Sequence, residues 1–530
     1  MTTSTSDANR GDLPFAQTLF TACDQLRGSV ESAEYKHLVL GLIFLKYVSD
    51  SFERRRAQLE AETRNPGGPL FTDEDAEREE ILEDRDEYLA ENVFWVPREG
   101  RWGGLLALAG QPDIGERIDA ALRAIEAENS DQLRGVLPQI YARAQIAPET
   151  LGELLGTIGR IGFGDDERTA RDLLGRVYEY FIKTFARAEG HRGGEFYTPS
   201  SVTRLLVEML EPYEGRVYDP AFGSGGLFVQ SAAFVDAHGG RPEALSVYGQ
   251  ENNQATWRIG RMNLAIHGLS GRLELGNTLL DDRLKDLRAD FVMANPPFNQ
   301  KQWGADRVAG DVRWRYGEPP AGNANYAWIQ HFIHHLAPGG RAGFVLANGS
   351  LTAGGQEGRI REEIICADLV DCVVALPAQL FFTTGIPVCL WFLTRDKARA
   401  GERERTGETL FIDARQLGEK ISRTQIELTD GEIARIAGTY RAWRGTEDDV
   451  FADEPGFAKS VTIGDIDAAG FTLSPGRFVG AQIPQASNDD SRAYIEALSL
   501  QLAEELATTG SLADDVQREL ARIGFHTPWR

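Results

Sequence analysis

RVYDPAFGSGGLF, residues 216–228, decides the fold. A short apolar run ends in an acid, Asp219, and passes into a turn holding Gly223, Gly225 and Gly226 before apolar residues resume near Leu227. Glycine reaches backbone conformations closed to other residues and lets the chain approach a ligand closely, so a strand, a tight turn and a helix follow in that order. The turn departs from the G-x-G-x-x-G spacing of dinucleotide folds. An acid at the strand tip, moreover, suits a ligand bearing an ammonium group and suits pyrophosphate badly. Taken alone, the stretch is also compatible with a turn that merely needs glycine.

Working outward, similar apolar runs recur at 245–251 (LSVYGQE), 272–277 (RLELGN), 290–297 (DFVMANPP), 341–348 (RAGFVLAN), 369–377 (LVDCVVALP) and 387–395 (PVCLWFLTR). Helical stretches separate most of them, which predicts an α/β class with a mostly parallel, doubly wound sheet. The last two runs are expected to pair as an antiparallel edge. ETLFIDA (408–414) and a helix around 430–444 are appended to this core.

On either side the pattern changes. Residues 1–14 are polar and read as disordered, and 15–165 as a helical domain in which Leu38, Leu42, Leu45 and Phe52 fall near a 3.6-residue period. The catalytic domain is then 166–480, followed by a helical tail over 481–530. In that tail Ile495, Leu498, Leu502 and Leu506 mark one face and Leu512, Val516, Leu520 and Ile523 another, parted by Gly510.

The chain has 530 residues with 56 Lys plus Arg against 80 Asp plus Glu, a net charge of −24. Such acidity argues against broad, autonomous binding to nucleic acid and leaves room for a local groove or for a partner that supplies the contacts. Cys23, Cys366, Cys372 and Cys389 are too scattered for a disulfide framework or a zinc site. The start is polar, and the longest early apolar run, HLVLGLIFLKYV (37–48), falls short of the roughly 20 residues that span a bilayer, so a cytoplasmic protein without membrane contact is expected.

Two further strand ends carry chemistry. Glu251 closes the second run about 25 residues after the glycine turn, where an acid grips a ribose diol. After the third run, Asp281 or Asp282 in GNTLLDD (276–282) is placed to reach an adenine amino group, although NT and DD are also common turn chemistry. The fourth run ends in Asn295-Pro296-Pro297-Phe298. An amino group conjugated to an aromatic ring is a poor nucleophile because its lone pair is delocalised. The Asn295 side-chain oxygen and the Pro296 carbonyl can each accept one of its N–H bonds, which favours a pyramidal nitrogen. Proline holds the loop rigid, and Phe298 is placed to lie on the flat face of the base.

DPAFGSGG (219–226), Glu251 and NPPF (295–298) resemble the successive motifs of S-adenosylmethionine-dependent amino-methyltransferases that act on DNA adenine. GGEFYTPSSV (193–202) is similar to the motif that lies beside the methionine end of the cofactor in that family. More narrowly, YKHLVLGLIFLKYVSD (35–50), NPPFNQKQW, NANYAWIQHFIHHLAPGGRAGFVL (323–346), LPAQLFFTTGIPVCLWFL (376–393) and FIDAR (411–415) resemble the modification subunit of type I restriction-modification systems. The resemblance implies a Rossmann-like methyltransferase sheet and S-adenosylmethionine as cofactor. It implies cofactor contacts at Glu195, Phe196, Tyr197, Thr198, Pro199, Ser200, Asp219, Ser224, Gly225, Gly226 and Glu251, and Asn295 to Phe298 as the catalytic tetrad. It further implies a target adenine flipped from DNA, a separate specificity subunit served by two modification subunits, and an accompanying restriction subunit. Phe222 stands where Cys is frequent in that family, and its ring is expected to pack beneath the glycine loop.

Other readings stay open at this stage: cytosine N4 or a protein glutamine as acceptor, or a scaffold that binds cofactor without catalysis. His331 and His335 have metal-ligand spacing but lack a third ligand, so no metal is expected. Trp328 is expected in the core, Trp303 near DNA, and RWRY (313–316) is a candidate phosphate contact.

Overall fold

The computed structural model describes residues 20, 32–144, 146–160, 175–185, 197–381, 386–422, 425–447, 450–480 and 499. Residues up to Val479 form one compact unit and Gly480–Arg530 a second, in which only Gly480 and Ser499 are described. The expectations for residues 1–14, for Glu195 and Phe196, and for the helical tail lie outside the described residues.

The N-terminal part is helical, built on α1 (Ser32–Thr63) with α2 (Ile114–Glu128) and α3 (Pro148–Gly159) among shorter helices. In α1, every residue from Leu38 to Ser49 is buried, Gly41 and Lys46 included, as expected of a helix covered on all sides. One side meets Tyr141, whose hydroxyl donates to the Leu38 carbonyl at 2.7 Å. Farther along the helix, Phe52 stacks on Tyr88 with ring centroids 4.5 Å apart. The helix also reaches the catalytic domain: the Tyr47 hydroxyl donates to the Ile266 carbonyl at 3.3 Å.

Eleven strands follow: β1 (Gly215–Asp219), β2 (Leu245–Glu251), β3 (Gly271–Leu275), β4 (Ala289–Ala294), β5 (Leu336–Ala347), β6 (Val370–Ala375), β7 (Val388–Thr394), β8 (Glu408–Asp413), β9 (Glu419–Ser422), β10 (Gln425–Glu427) and β11 (Ala458–Thr462). Nine form one sheet in the order β11-β8-β6-β7-β5-β4-β1-β2-β3, and β9 with β10 makes a separate hairpin. Pairing is parallel from β3 through β2, β1 and β4 to β5. Helices α4 (Ser200–Leu210), α5 (Gly226–Ala237), α6 (Gln254–Ile266), α7 (Asn325–His335), α8 (Gly355–Cys366) and α9 (Asp430–Arg444) accompany the sheet.

The sheet corrects one expectation. β6 and β7 do pair antiparallel, but not at an edge: β7 lies between β5 and β6 and runs antiparallel to both. Its composition explains the position. Every residue of Val388–Thr394 is buried, as is every residue of β6, and unbroken apolar runs belong to strands covered on both faces. The sheet then continues through β8, parallel to β6, and ends in β11.

This half of the sheet holds a buried charge cluster. Arg405 Nε lies 3.3 Å from Asp371 Oδ1 with both side chains fully enclosed, and the Tyr440 hydroxyl of α9 donates to the other Asp371 oxygen. Glu402 accepts from Arg405 Nη1 at 2.9 Å and also pairs with Arg341 of β5. The cluster ties β5, β6 and α9 to the loop before β8.

The chain leaves β1 towards β2 on one side and later returns to β4 on the other. Such a reversal opens a crevice beyond the carboxyl ends of the two central strands, which is where open α/β sheets bind ligands.

Candidate active site

β1 ends at Asp219, and the glycine loop turns back over the strand tips. Gly223 has φ of 55° and Gly225, which precedes α5, has φ of 78°, both in the left-handed region that glycine enters without strain. Phe222 is buried beneath the loop, as expected, and two other glycines make room for it. A Cβ on Gly249 of β2 would stand 2.7 Å from the Phe222 ring, and one on Gly260 of α6 would stand 2.6 Å from the ring and 2.7 Å from the Gly223 carbonyl oxygen. Gly260→Ala is therefore expected to lower stability by about 1–3 kcal/mol despite alanine's better helix propensity, because the obstructing oxygen is backbone. A thermal melt would register this.

Asp219 is only 2% exposed. Its Oδ1 accepts from the Ala221 amide at 2.9 Å. Burial drives its pKa well above the usual carboxylate range; the Ala221 hydrogen bond opposes this and the nearby Glu251 charge adds to it. Glu251, at the tip of β2, accepts from Gly223 N at 3.1 Å and from Asn253 N at 2.8 Å, so one carboxylate ties the glycine loop to the start of α6. Asn253 in turn caps that helix, accepting from Ala255 N and Thr256 N.

Asn295 follows β4 directly. It is 8% exposed, and its Nδ2 donates to the Thr198 hydroxyl at 2.9 Å. That contact holds the amide in place, yet Oδ1 is buried with no hydrogen-bond partner. A buried acceptor without a donor costs about 1–3 kcal/mol. Phe298 is half-buried and meets Phe381 edge to face at 5.9 Å.

Asp219, Glu251 and Asn295 converge on a cavity of about 330 Å³ and an adjoining chamber of about 70 Å³, whereas Phe298 lines neither. Glu251, Asn277, Thr278 and Pro297 line the larger space, Asp219, Thr198, Ser200 and Gly226 the smaller. Tyr197, Gly223, Ser224 and Asn295 line both, so the Asn295 amide stands where the two meet. Pro199 precedes α4, Gly225 forms the turn, and Pro296 is buried behind Asn295.

The matches to known proteins fall on this frame. A family model described as N-6 DNA Methylase matches residues 169–486, and one described as HsdM N-terminal domain matches residues 15–158. The chain is 40% identical to the type I restriction enzyme MjaIX methylase subunit of Methanocaldococcus jannaschii, covering 96% of this chain and 92% of that one. The chain belongs to the type I restriction enzyme methylase subunits. The HindI methylase subunit of Haemophilus influenzae is 42% identical over 80% of this chain and 95% of its own. The solved methyltransferase subunit of the type I restriction-modification system from Streptococcus thermophilus superposes with a TM-score of 0.72, at 25% identity, over 88% of this chain and 99% of that one.

In this methylase subunit several expected residues take other places. The Asp281 carboxylate pairs with Arg283 at 3.0 Å and lies outside both cavities, its backbone held in a turn by the Asn277 carbonyl. Asp282 accepts from His335 Nε2 at 2.9 Å. Trp328 is buried in the core, as expected, and also borders the larger cavity. Trp303 is buried too: it donates to the Pro320 carbonyl at 3.0 Å and packs on Trp314. Arg313 is no phosphate contact. It is buried, clasped by Asp311 at 2.8 Å, and donates to the Thr278 and Leu279 carbonyls behind the cavity wall.

Among the described residues, Asp282, His331 and His335 have the composition and closeness of a metal site. Every ring nitrogen already has a partner, however. His331 meets Arg313 at Nδ1 and the Tyr218 hydroxyl at Nε2, and His335 meets the Leu287 carbonyl and Asp282. Because Arg313 can only donate, His331 carries its proton on Nε2 and stays neutral, in line with a pKa pushed well below the usual value by burial and by the neighbouring His335 charge. The trio reads as a buried network that fastens α7 to β1.

The methylase subunit also recruits residues with no local signal. Lys36 and Leu40 of α1 line the larger cavity, as do Ile182 and Phe185 from the helical residues 175–185. No helix among the described residues is long and apolar enough to cross a membrane.

Proposed function

We propose that this methylase subunit transfers a methyl group to the N6 nitrogen of an adenine flipped out of DNA, with S-adenosylmethionine as donor. The observation that carries the reading is the orphaned Oδ1 of Asn295 at the junction of two acid-tipped cavities. When bound, the cofactor supplies a methyl on a sulfonium, an electrophile that leaves as a neutral thioether once the amino lone pair takes the methyl. Glu251 would hold the ribose hydroxyls and Asp219 the ammonium end of that cofactor.

Asn295 Oδ1 and the Pro296 carbonyl each accept one N–H of the target amino group. Both contacts strengthen as positive charge grows on nitrogen, so they favour the transition state over the ground state. No strong base is needed, because the methylated nitrogen is cationic and its proton is acidic. Thr198 fixes which way the amide faces. Flipping the base costs a few kcal/mol, which Phe298 offsets in part by stacking. Phe298→Ala is expected to lower kcat/KM for DNA by roughly ten- to a hundredfold, corresponding to about 1–3 kcal/mol of lost stacking, with cofactor affinity unchanged.

Sequence choice is assigned to a specificity subunit serving two of these chains, with a restriction subunit in the full assembly and all of it in the cytoplasm. The net charge of −24 fits a chain that leaves much of the DNA contact to a partner. Co-expression with the specificity subunit, followed by modification-aware sequencing of cellular DNA, tests the proposal. N6-methyladenine at one recurring site is expected. N4-methylcytosine instead, or no methylated base, would overturn it.

A further inference from the structure

The small chamber beside Asn295 contains a carboxyl group that none of the motifs supplies. Glu179 belongs to the helical residues 175–185, upstream of every strand, and lines the chamber together with Asp219, Thr198, Ser200, Asn263 and Asn295. Asn263 is 1% exposed; its Nδ2 donates to the Ser224 carbonyl at 2.9 Å, and its Oδ1 is buried without a partner. Asn295 Oδ1 is in the same condition. With Asn295 Oδ1 assigned to the target amino group, the space still offers a ligand two carboxyl groups and the unpaired Asn263 amide oxygen, all able to accept.

Such a lining calls for a small ligand group with several donors and a positive charge. A primary ammonium has three N–H bonds and fits the description. We infer that Glu179 is a cofactor-binding residue that, with Asp219 and Asn263, holds the ammonium of the amino-acid end of S-adenosylmethionine. The inference rests on the cofactor assigned under Proposed function and adds a residue from outside the glycine loop and the NPPF turn.

The electrostatics agree with this role. Part of the Glu179 side chain stays exposed, yet burial of the carboxyl pushes its pKa up to about 7, with Lys183 on the same helix pulling the other way. A carboxyl poised there tolerates the empty chamber as the neutral acid and ionises when an ammonium arrives to pair with it. The arrangement also makes the helical residues 175–185 part of the site.

The test uses the full-length chain and two ligands, S-adenosylmethionine and its analogue with hydroxyl in place of the α-amino group, titrated calorimetrically against wild type, Glu179→Gln and Glu179→Asp. Wild type is expected to prefer the amine by tenfold or more. Glu179→Gln is expected to lose most of that preference by weakening the amine alone, and Glu179→Asp to restore part of it. An equal loss for both ligands, or no loss for either, overturns the assignment of Glu179 while leaving the cofactor intact. Equal binding of the two ligands by wild type overturns it without recourse to any variant. If wild type binds neither ligand, the cofactor reading itself falls and this inference falls with it.

Discussion

Asn295→Ala is expected to reduce methyl transfer by a factor on the order of 10²–10³ while leaving cofactor binding and thermal stability near those of the wild type. The size follows from what the amide does at each stage. In the resting protein its oxygen has no partner, so removing it costs the folded state little and relieves an unsatisfied acceptor. In the transition state proposed above, the same oxygen would face a nitrogen becoming cationic, where an acceptor is worth most. Asn295→Asp provides the control. The Thr198 hydroxyl, which now accepts from Nδ2 at 2.9 Å, can rotate to donate to a carboxylate, and an acceptor is kept at the amino group. Single-turnover rates on a DNA substrate should therefore fall in the order wild type, Asn295→Asp, Asn295→Ala. Equal rates for wild type and Asn295→Ala would remove the amide from the mechanism.

Asp371→Ala should be the most damaging change to stability, at about 3–5 kcal/mol. Asp371 is fully enclosed, and its two oxygens serve Arg405 and the Tyr440 hydroxyl. Alanine would leave the guanidinium facing an apolar gap and the phenol without an acceptor. Glu402 still holds Arg405 Nη1, but Arg405 Nη2 already lacks a partner, so the cluster has no spare acceptor to redistribute. Urea unfolding monitored by tryptophan fluorescence would report the change, since Trp443 stacks near Tyr440 in the same region. A Leu substitution, which fills the volume, should be nearly as harmful because Arg405 stays buried and charged. A loss below 1 kcal/mol would mean that water reaches the cluster.

Strand ends were the legible part of this chain. Asp219, Glu251 and Asn295 each follow an apolar run, so their positions depend on local sequence, and the sheet brings the three tips together. Asp281 misled because an Asn-Thr…Asp-Asp turn satisfies its own groups: the carboxylate goes to Arg283, and Asn277 and Thr278 face the cavity instead. Trp328 is in the core as its sequence suggested, but Trp303 is buried as well, because an indole's surroundings are set by elements distant in sequence. Placing β7 between β5 and β6 was likewise non-local, although its unbroken burial is written in VCLWFLT. Glu179 escaped notice for a similar reason, being an ordinary acid in a helix until the fold sets it beside Asp219.

Helix α1 has a consequence for how this protein can be dissected. Lys36 and Leu40 form part of the cavity wall, and Tyr47 of the same helix is bonded to the end of α6. The segment matching the N-6 DNA Methylase model begins only at residue 169. Excised there as a minimal enzyme, it would keep every motif residue and lose one side of its own pocket. The catalytic segment is thus not a portable cassette: grafts and chimeras that exchange it between systems need to carry the matching α1 with it.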